Sequence, residues 1–366
     1  MLVLAGPLEG QARAATHPAP STQHPAPNAI LVVLDGVRWQ EVFRGADCSF
    51  IEDTAKGRIA DTAAFRRRFC RPTADSAREA LMPWLWGTLA RRGALFGDRD
   101  AGSDAHISNT MKFSYPGYNE ILTGAFDPRI DKNDFGPNPN VTVLEWLHRR
   151  PGFRGRVRAW GTWDVFDDIF NEARAGFPVR SGWEVPFPGP RDAVERELDA
   201  IYATTTRHWA YMPPDAFLQR SVLQSLRVDR PRVLYVGFGE PDEWAHDERY
   251  DNYAISLNAA DGYLRELWSW VERTPGYAGR TTLMVLCDHG RERTHRDWSD
   301  HGRGVDGAEE IWMGAIGPGV PALGVVRSGE LIQAQVAATL ARAVGEEWGS
   351  FNAAAAPAVD FVTFRR

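Results

Sequence analysis

The chain has 366 residues, 43% of them hydrophobic, and a formal net charge of −6, the balance of a soluble globular protein with one large core or two smaller ones. No uninterrupted apolar run approaches the roughly 18 to 20 residues that a membrane-spanning helix needs, and a mildly acidic chain offers no electrostatic footprint for a nucleic-acid polymer. Any anionic ligand must be attracted locally, by metals or a few basic groups.

In chain order, residues 1–27 combine a short apolar run, an Ala-x-Ala-like stretch at 12–14 and Pro/Ala-rich sequence. They predict the remnant of a secretory signal followed by a linker, and so a periplasmic or secreted chain. A cytoplasmic chain with an unstructured tail is the alternative. Of three cysteines, Cys48 and Cys70 can pair in an oxidising compartment, leaving Cys287 odd.

Residues 28–366 read as one domain. AILVVLDG (29–36), RVLYVGFG (232–239) and TTLMVLCDHG (281–290) have the continuous apolar character of strands buried on both faces. Helical stretches are expected at 141–150, 191–209, 253–273 and 329–344. Strands alternating with helices predict an α/β/α sandwich around a mostly parallel sheet. Segments 44–75 and 177–192 read as inserted excursions that cap one edge of it.

Ligands of such sheets bind beyond the carboxyl ends of the strands. Each of the three strands reaches an aspartate there: Asp35, Asp242 and Asp288. Asp242 and His246 stand four apart, a spacing that puts both on one helix face. Asp-His-Gly occurs twice, at 288–290 and 300–302; of the second copy His301 is the expected ligand and Asp300 its neighbour. Taken singly, each of these is an ordinary turn or surface pair. Together, three carboxylates at one sheet edge repel unless cations compensate, and three histidines with three aspartates suit two Zn²⁺ ions, or other divalent transition metals, better than Ca²⁺ or Mg²⁺. Alternation along the strand puts Cys287 on the face opposite Asp288, in the core. Ser114, ahead of an apolar run, is either a helix cap or a metal-activated nucleophile.

These motifs resemble the alkaline phosphatase superfamily, and within it the nucleotide pyrophosphatase/phosphodiesterase branch. The resemblance runs in order through VVLDGVRW, KFSYPGYNEILTG, EPDEWAH, VLCDHG and DHGRG. It implies an alkaline phosphatase-like sandwich in which Asp35, Ser114, Asp288 and His289 hold one zinc, and Asp242, His246 and His301 the other. It also implies an asparagine steadying a phosphoryl oxygen, here Asn133 or Asn138, with Asn133 preferred. The nucleophile region departs from that branch, which has Thr-Phe-Pro-Asn where this chain has Ser114-Tyr115-Pro116-Gly117; Gly117 is expected to open the mouth of the site. Tyr118 stands where a sulfatase has arginine in its C/S-x-P-x-R pattern, which argues against a formylglycine sulfatase.

The activity expected is hydrolysis of a small phosphate ester through a covalent phosphoserine on Ser114. Two Zn²⁺ against three aspartates leave one positive charge, which an ionised Ser114 cancels, so a monoanionic diester or phosphonate is favoured over a monoester. Lys112 and Arg38 are candidate additional cations for the substrate. Trp160, Trp163 and Trp183 are candidates to stack on a nucleobase, although fourteen tryptophans mostly signal packing. The alternatives are a phospho-transferase or mutase, or a metal-binding protein without turnover.

Overall fold

A computed structural model describes residues 26–53 and 57–364; nearly all of the expected signal and linker lies outside them. Ten strands are present among the described residues: β1 Asn28–Leu34, β2 Ala94–Phe96, β3 Ser103–His106, β4 Val157–Gly161, β5 Val179–Ser181, β6 Val233–Phe238, β7 Thr281–Leu286, β8 Met313–Ile316, β9 Gly324–Val325 and β10 Gly329–Ile332. Eight of them form one sheet in the order β5-β4-β6-β1-β7-β8-β2-β9, and β10 pairs with β3 apart from it. From β5 to β7 the sheet is parallel; β8 runs antiparallel to both β7 and β2.

The three strands legible as apolar runs are the three at the centre. β1, β6 and β7 are buried along their whole lengths, as strands covered on both faces by helices must be. Helices Asp215–Val228 and Tyr250–Arg273 pack together on one side; Ser114–Thr123, Val143–Arg149 and Gln335–Ala343 form the second helical layer. This is the three-layer sandwich expected. In register, Leu34 of β1 lies beside Phe238 of β6, and Val33 beside Leu286 of β7. The carboxyl ends of adjacent strands therefore deliver Asp35, the helix carrying Asp242, and Asp288 to one place.

Two expectations about elements are corrected. Residues 329–344 are not one helix: Gly329–Ile332 is β10, paired with β3, and the helix begins at Gln335. Gly329 has φ +100°, a conformation that excludes helix and is open to glycine. Segment 177–192 is only partly an excursion, because Val179–Ser181 supplies the edge strand β5. Segment 44–75 carries the helix Thr62–Phe69 and is tied by a Cys48–Cys70 disulfide with a Cα–Cα distance of 5.9 Å. Cys287 is free and buried in the core. No helix among the described residues is long and apolar enough to cross a membrane.

Candidate metal centre

Gly36 follows Asp35 in a left-handed turn, φ +59°. Its N–H donates to Asp288 Oδ1 at 3.0 Å and its carbonyl accepts from Arg291 Nε at 2.9 Å. A Cβ there would lie 2.4 Å from Asp242 Oδ1 and 2.6 Å from Arg291 Nη2, so both backbone angle and space require glycine. This turn draws the ends of β1, the Asp242 helix and β7 together.

Ser114 opens the helix Ser114–Thr123 beside them, buried at its first position. Its Oγ lies 3.5 Å from Asp35 Oδ1 and 3.4 Å from His289 Nε2. His289 Nε2 is 3.4 Å from Asp35 Oδ1 and 3.6 Å from Asp288 Oδ2. A tetrahedral ion with bonds of about 2.0 to 2.1 Å sets its ligand atoms roughly 3.3 Å apart, so the donor spacing suits one. Asp288 Oδ2 is buried and has no hydrogen-bond partner, a costly state for a carboxylate oxygen that a cation relieves. His289 Nδ1 faces the Gly290 carbonyl at 2.9 Å; it must donate its hydrogen there, which leaves Nε2 as the lone-pair donor aimed at the cluster.

The second donor set adjoins the first. Asp242 Oδ2 is 3.0 Å from His246 Nε2, which is 3.2 Å from His301 Nε2, and the three donors lie close enough to share an ion. Asp242 Oδ1 reaches back to within 3.8 Å of His289 Nε2. The histidine ring of the second tripeptide stacks on that of the first, with centroids 4.1 Å apart. All seven sequence-predicted ligands are thus in one cluster, and two nitrogen- and oxygen-bearing sets fit two transition-metal ions. A third group of metal-ligand type, Asp104, His106 and Glu330, lies on the β3–β10 sheet, where Arg99 already pairs with Asp104 at 2.6 Å.

The titration pattern has the same cause. Burial pushes the Asp35 carboxyl up, but the hydrogen bond and charge of His289, with the Tyr118 hydroxyl, outweigh it and hold Asp35 below its usual range. Burial and then the Asp35 charge push Asp288 well above its usual range. Burial depresses His289, but the charge of Asp288 and the bond to Asp35 carry it up to about 9. The buried carboxylates cannot all ionise on their own account; the cluster demands positive charge.

Other candidates fall on either side of the cavity wall. Asn133 lines a cavity of about 350 Å³ together with Asp35, Ser114 and Asp242. Its Oδ1 accepts from Tyr115 N at 3.0 Å, an acceptor role that fixes the amide's orientation and leaves its two N–H donors for the cavity. Asn138 is fully buried and donates to Asn119 and the Ile169 carbonyl. Lys112 Nζ is directed to Glu309, at 2.7 Å, and the Val305 carbonyl, and Arg38 is buried against Glu41. Neither lines the cavity. Of the three tryptophans, Trp163 lines it, Trp160 is buried in β4 and Trp183 donates to the Trp209 carbonyl. Gly117 is not at the mouth: it is buried, and a Cβ on it would lie 2.6 Å from the Asp288 carbonyl oxygen. The residue lets the Ser114–Thr123 helix close on the Asp288 backbone just past β7.

Two residues escaped the sequence reading. Tyr118, one helical turn after Ser114, donates its hydroxyl to Asp35 Oδ2 at 2.8 Å. Its i+4 spacing from the serine was the available signal. Arg291, two residues after His289, is fully buried and gives its guanidinium to Asp242 Oδ1, the Gly36 carbonyl and the Ser299 carbonyl. No local pattern marks an arginine as buried.

No protein-family model matches the chain, and neither does any curated protein sequence. Solved structures do resemble it. Ps i-CgsB superposes with a TM-score of 0.52 at 18% identity, covering 88% of this chain and 72% of that one. The phosphonate monoester hydrolase SpPMH from Silicibacter pomeroyi gives 0.52 at 14%, covering 91% and 76%. The lipoteichoic acid synthase LtaP from Listeria monocytogenes gives 0.51 at 11%, covering 88% and 72%. At such identities the likeness is one of fold: the chain shares the three-layer α/β/α sandwich of these proteins.

Proposed function

We propose that the protein is a two-metal phosphoesterase, with zinc as the expected ion, that works through a covalent phosphoserine on Ser114 and prefers diesters or phosphonate esters. The observation that carries this is the set of Asp35, Asp288 and His289 donors 3.4 to 3.6 Å from one another or from the Ser114 hydroxyl, with one carboxylate oxygen buried and unpartnered. Asp35, Ser114, Asp288 and His289 would hold one ion, and Asp242, His246 and His301 the other. When bound, such ions lower the pKa of the serine hydroxyl and neutralise charge on the phosphoryl oxygens.

The chain's own residues do the rest. Ser114 Oγ forms the bond to phosphorus as the bond to the leaving alcohol breaks, and the alcohol departs with the proton the hydroxyl gave up. Water then cleaves the phosphoserine and restores the hydroxyl. Asn133 directs its amide N–H groups at a phosphoryl oxygen. Tyr118 holds the Asp35 carboxylate in place. Arg291 adds a buried positive charge that offsets the Asp242 carboxylate. The motifs' resemblance to the nucleotide pyrophosphatase/phosphodiesterase branch supports this reading, and the fold likeness to a phosphonate monoester hydrolase supports an ester hydrolase more broadly. The Cys48–Cys70 disulfide supports a periplasmic or secreted location.

The test is a chromogenic panel of diester, monoester, phosphonate ester and sulfate on zinc-loaded protein, with and without chelator, alongside elemental analysis. We expect about two transition-metal ions per chain, turnover lost on chelation, and Ser114→Ala folded but inactive. Near wild-type turnover in Ser114→Ala, or in protein free of transition metal, rejects the reading.

A further inference from the structure

Above the metal-ligand floor, the cavity wall is built from Trp163, Trp209, Tyr211 and Met212 with two carboxylates, Glu243 and Asp247. No lysine or arginine is among the described residues that line it. That is an unusual composition for a cavity expected to admit an anionic ester: the floor attracts negative charge, whereas the wall repels it and offers apolar faces instead.

The wall is held in shape. Tyr211 donates its hydroxyl to Glu243 Oε2 at 2.5 Å, and its carbonyl accepts from Asp164 N at 3.1 Å. The Trp209 carbonyl accepts from Trp183 Nε1 at 2.9 Å, and the Trp209 ring meets Trp244 edge-on at 4.7 Å. The aromatic segment is therefore pinned to the loop after β4, to the loop after β5 and to the Asp242 helix, so that little ordering is needed when a ligand enters.

We propose that this wall is a cage for a cationic ammonium group, and that the substrate class is a phosphate or phosphonate ester bearing a quaternary-ammonium alcohol of the choline type. The inference rests on the reading of Ser114 as nucleophile for the reaction, though not for the binding. Aromatic faces attract a cation through their quadrupoles, most strongly where water is displaced. A quaternary ammonium has no N–H groups to satisfy, so moving it from water onto tryptophan and tyrosine faces leaves no donor unpaired. Glu243 and Asp247 supply the countercharge. A nucleobase also stacks on such rings and can donate N–H groups to carboxylates, but it carries no positive charge to balance theirs, and a second phosphate would be repelled by them.

The experiment compares p-nitrophenyl phosphorylcholine with p-nitrophenyl 3,3-dimethylbutyl phosphate, in which carbon replaces the charged nitrogen at nearly the same shape. In both, Ser114 Oγ bonds to phosphorus and p-nitrophenol leaves. We expect a KM about tenfold lower for the ammonium ester at similar kcat, with the difference falling below threefold in Glu243→Gln and in the exposed Asp247→Asn. Binding of phosphorylcholine and of 3,3-dimethylbutyl phosphate to Ser114→Ala protein, followed by tryptophan fluorescence, reads the cage without turnover; the same preference of about tenfold is expected. If neither ester is hydrolysed but that preference persists, the cage stands and the nucleophile assignment fails. Turnover with equal KM and equal affinity overturns the cage and leaves the esterase. A p-nitrophenyl thymidine phosphate that outperforms both esters overturns it in favour of nucleobase stacking.

Discussion

Glu120 offers the sharpest test of how Ser114, the proposed nucleophile, is held. It lies on the helix that Ser114 opens and is fully buried, yet among the described residues its carboxylate meets four donors and no cation: Ser108 N and Oγ on Oε1, both at 2.8 Å, and Asn109 N and Nδ2 on Oε2, at 2.9 and 2.8 Å. Asn109 Oδ1 in turn accepts from Lys112 N at 2.9 Å, and Lys112 has φ +57° two residues before Ser114. Glu120→Gln keeps the shape but turns one acceptor into a donor, placing an NH₂ against donors of Asn109. Each buried donor left unpaired costs about 1 to 3 kcal/mol, so two of them, with the weaker bonds to the remaining neutral oxygen, should destabilise the protein by about 4 kcal/mol. Urea unfolding followed by circular dichroism measures this. If the turn at Lys112 loosens, kcat should fall about tenfold or more, since about 1.4 kcal/mol of lost positioning is a factor of ten. A Glu120→Gln variant within about 1 kcal/mol of wild type, with unchanged kcat, would refute the argument that this carboxylate clamps the approach to Ser114.

Gly117→Ala should push the Ser114–Thr123 helix off the Asp288 backbone, lowering stability by about 1 to 3 kcal/mol and turnover with it; an unchanged Tm would show that the helix has room to spare. Asp261, buried and accepting from Trp84 N and Leu85 N at 2.7 and 2.8 Å, is pushed up to about 6, burial outweighing both bonds. Because its folded pKa lies above the usual 3.8, its stabilising contribution is full below about pH 3.8 and is lost as pH rises through about 6; Asp261→Asn should therefore flatten the stability profile between pH 4 and 6.5, and a profile as steep as wild type would contradict it. The Cys48–Cys70 bridge closes a loop with a sequence separation of 22, for which loop-closure entropy gives about 3 kcal/mol; the double serine variant should lose that much in urea titration under oxidising conditions, and a loss under about 0.5 kcal/mol would show that the segment is held by packing alone.

What the sequence by itself determined here is what local chemistry encodes. Six apolar residues in a row, Ala29 to Leu34, cannot all face water, so β1 declared itself, as did β6 and β7, and an aspartate at or beyond the end of each pointed to the sheet edge where ligands bind. Asp242 and His246 share a face because a helix repeats every 3.6 residues. The short strands β2, β4, β5, β8 and β9 carry too few residues to show a period, and β10 was hidden because Gly329–Ile332 runs directly into helix-forming sequence. The tertiary structure alone decided which strands are neighbours, and with that which carboxylates lie together at the sheet edge. Only there does Asn133 separate from Asn138, one facing the cavity and the other sealed in the core. Gly117 changes meaning in the same way: a gap in the sequence becomes a contact surface once β7 lies against it. Arg291 is the extreme case, since a charged side chain enters the interior only when its partners are already assembled there, and Asp242, Gly36 and Ser299 come from three distant parts of the chain. Desolvation makes such a charge costly unless it is paired, and desolvation is a property of the fold rather than of any residue.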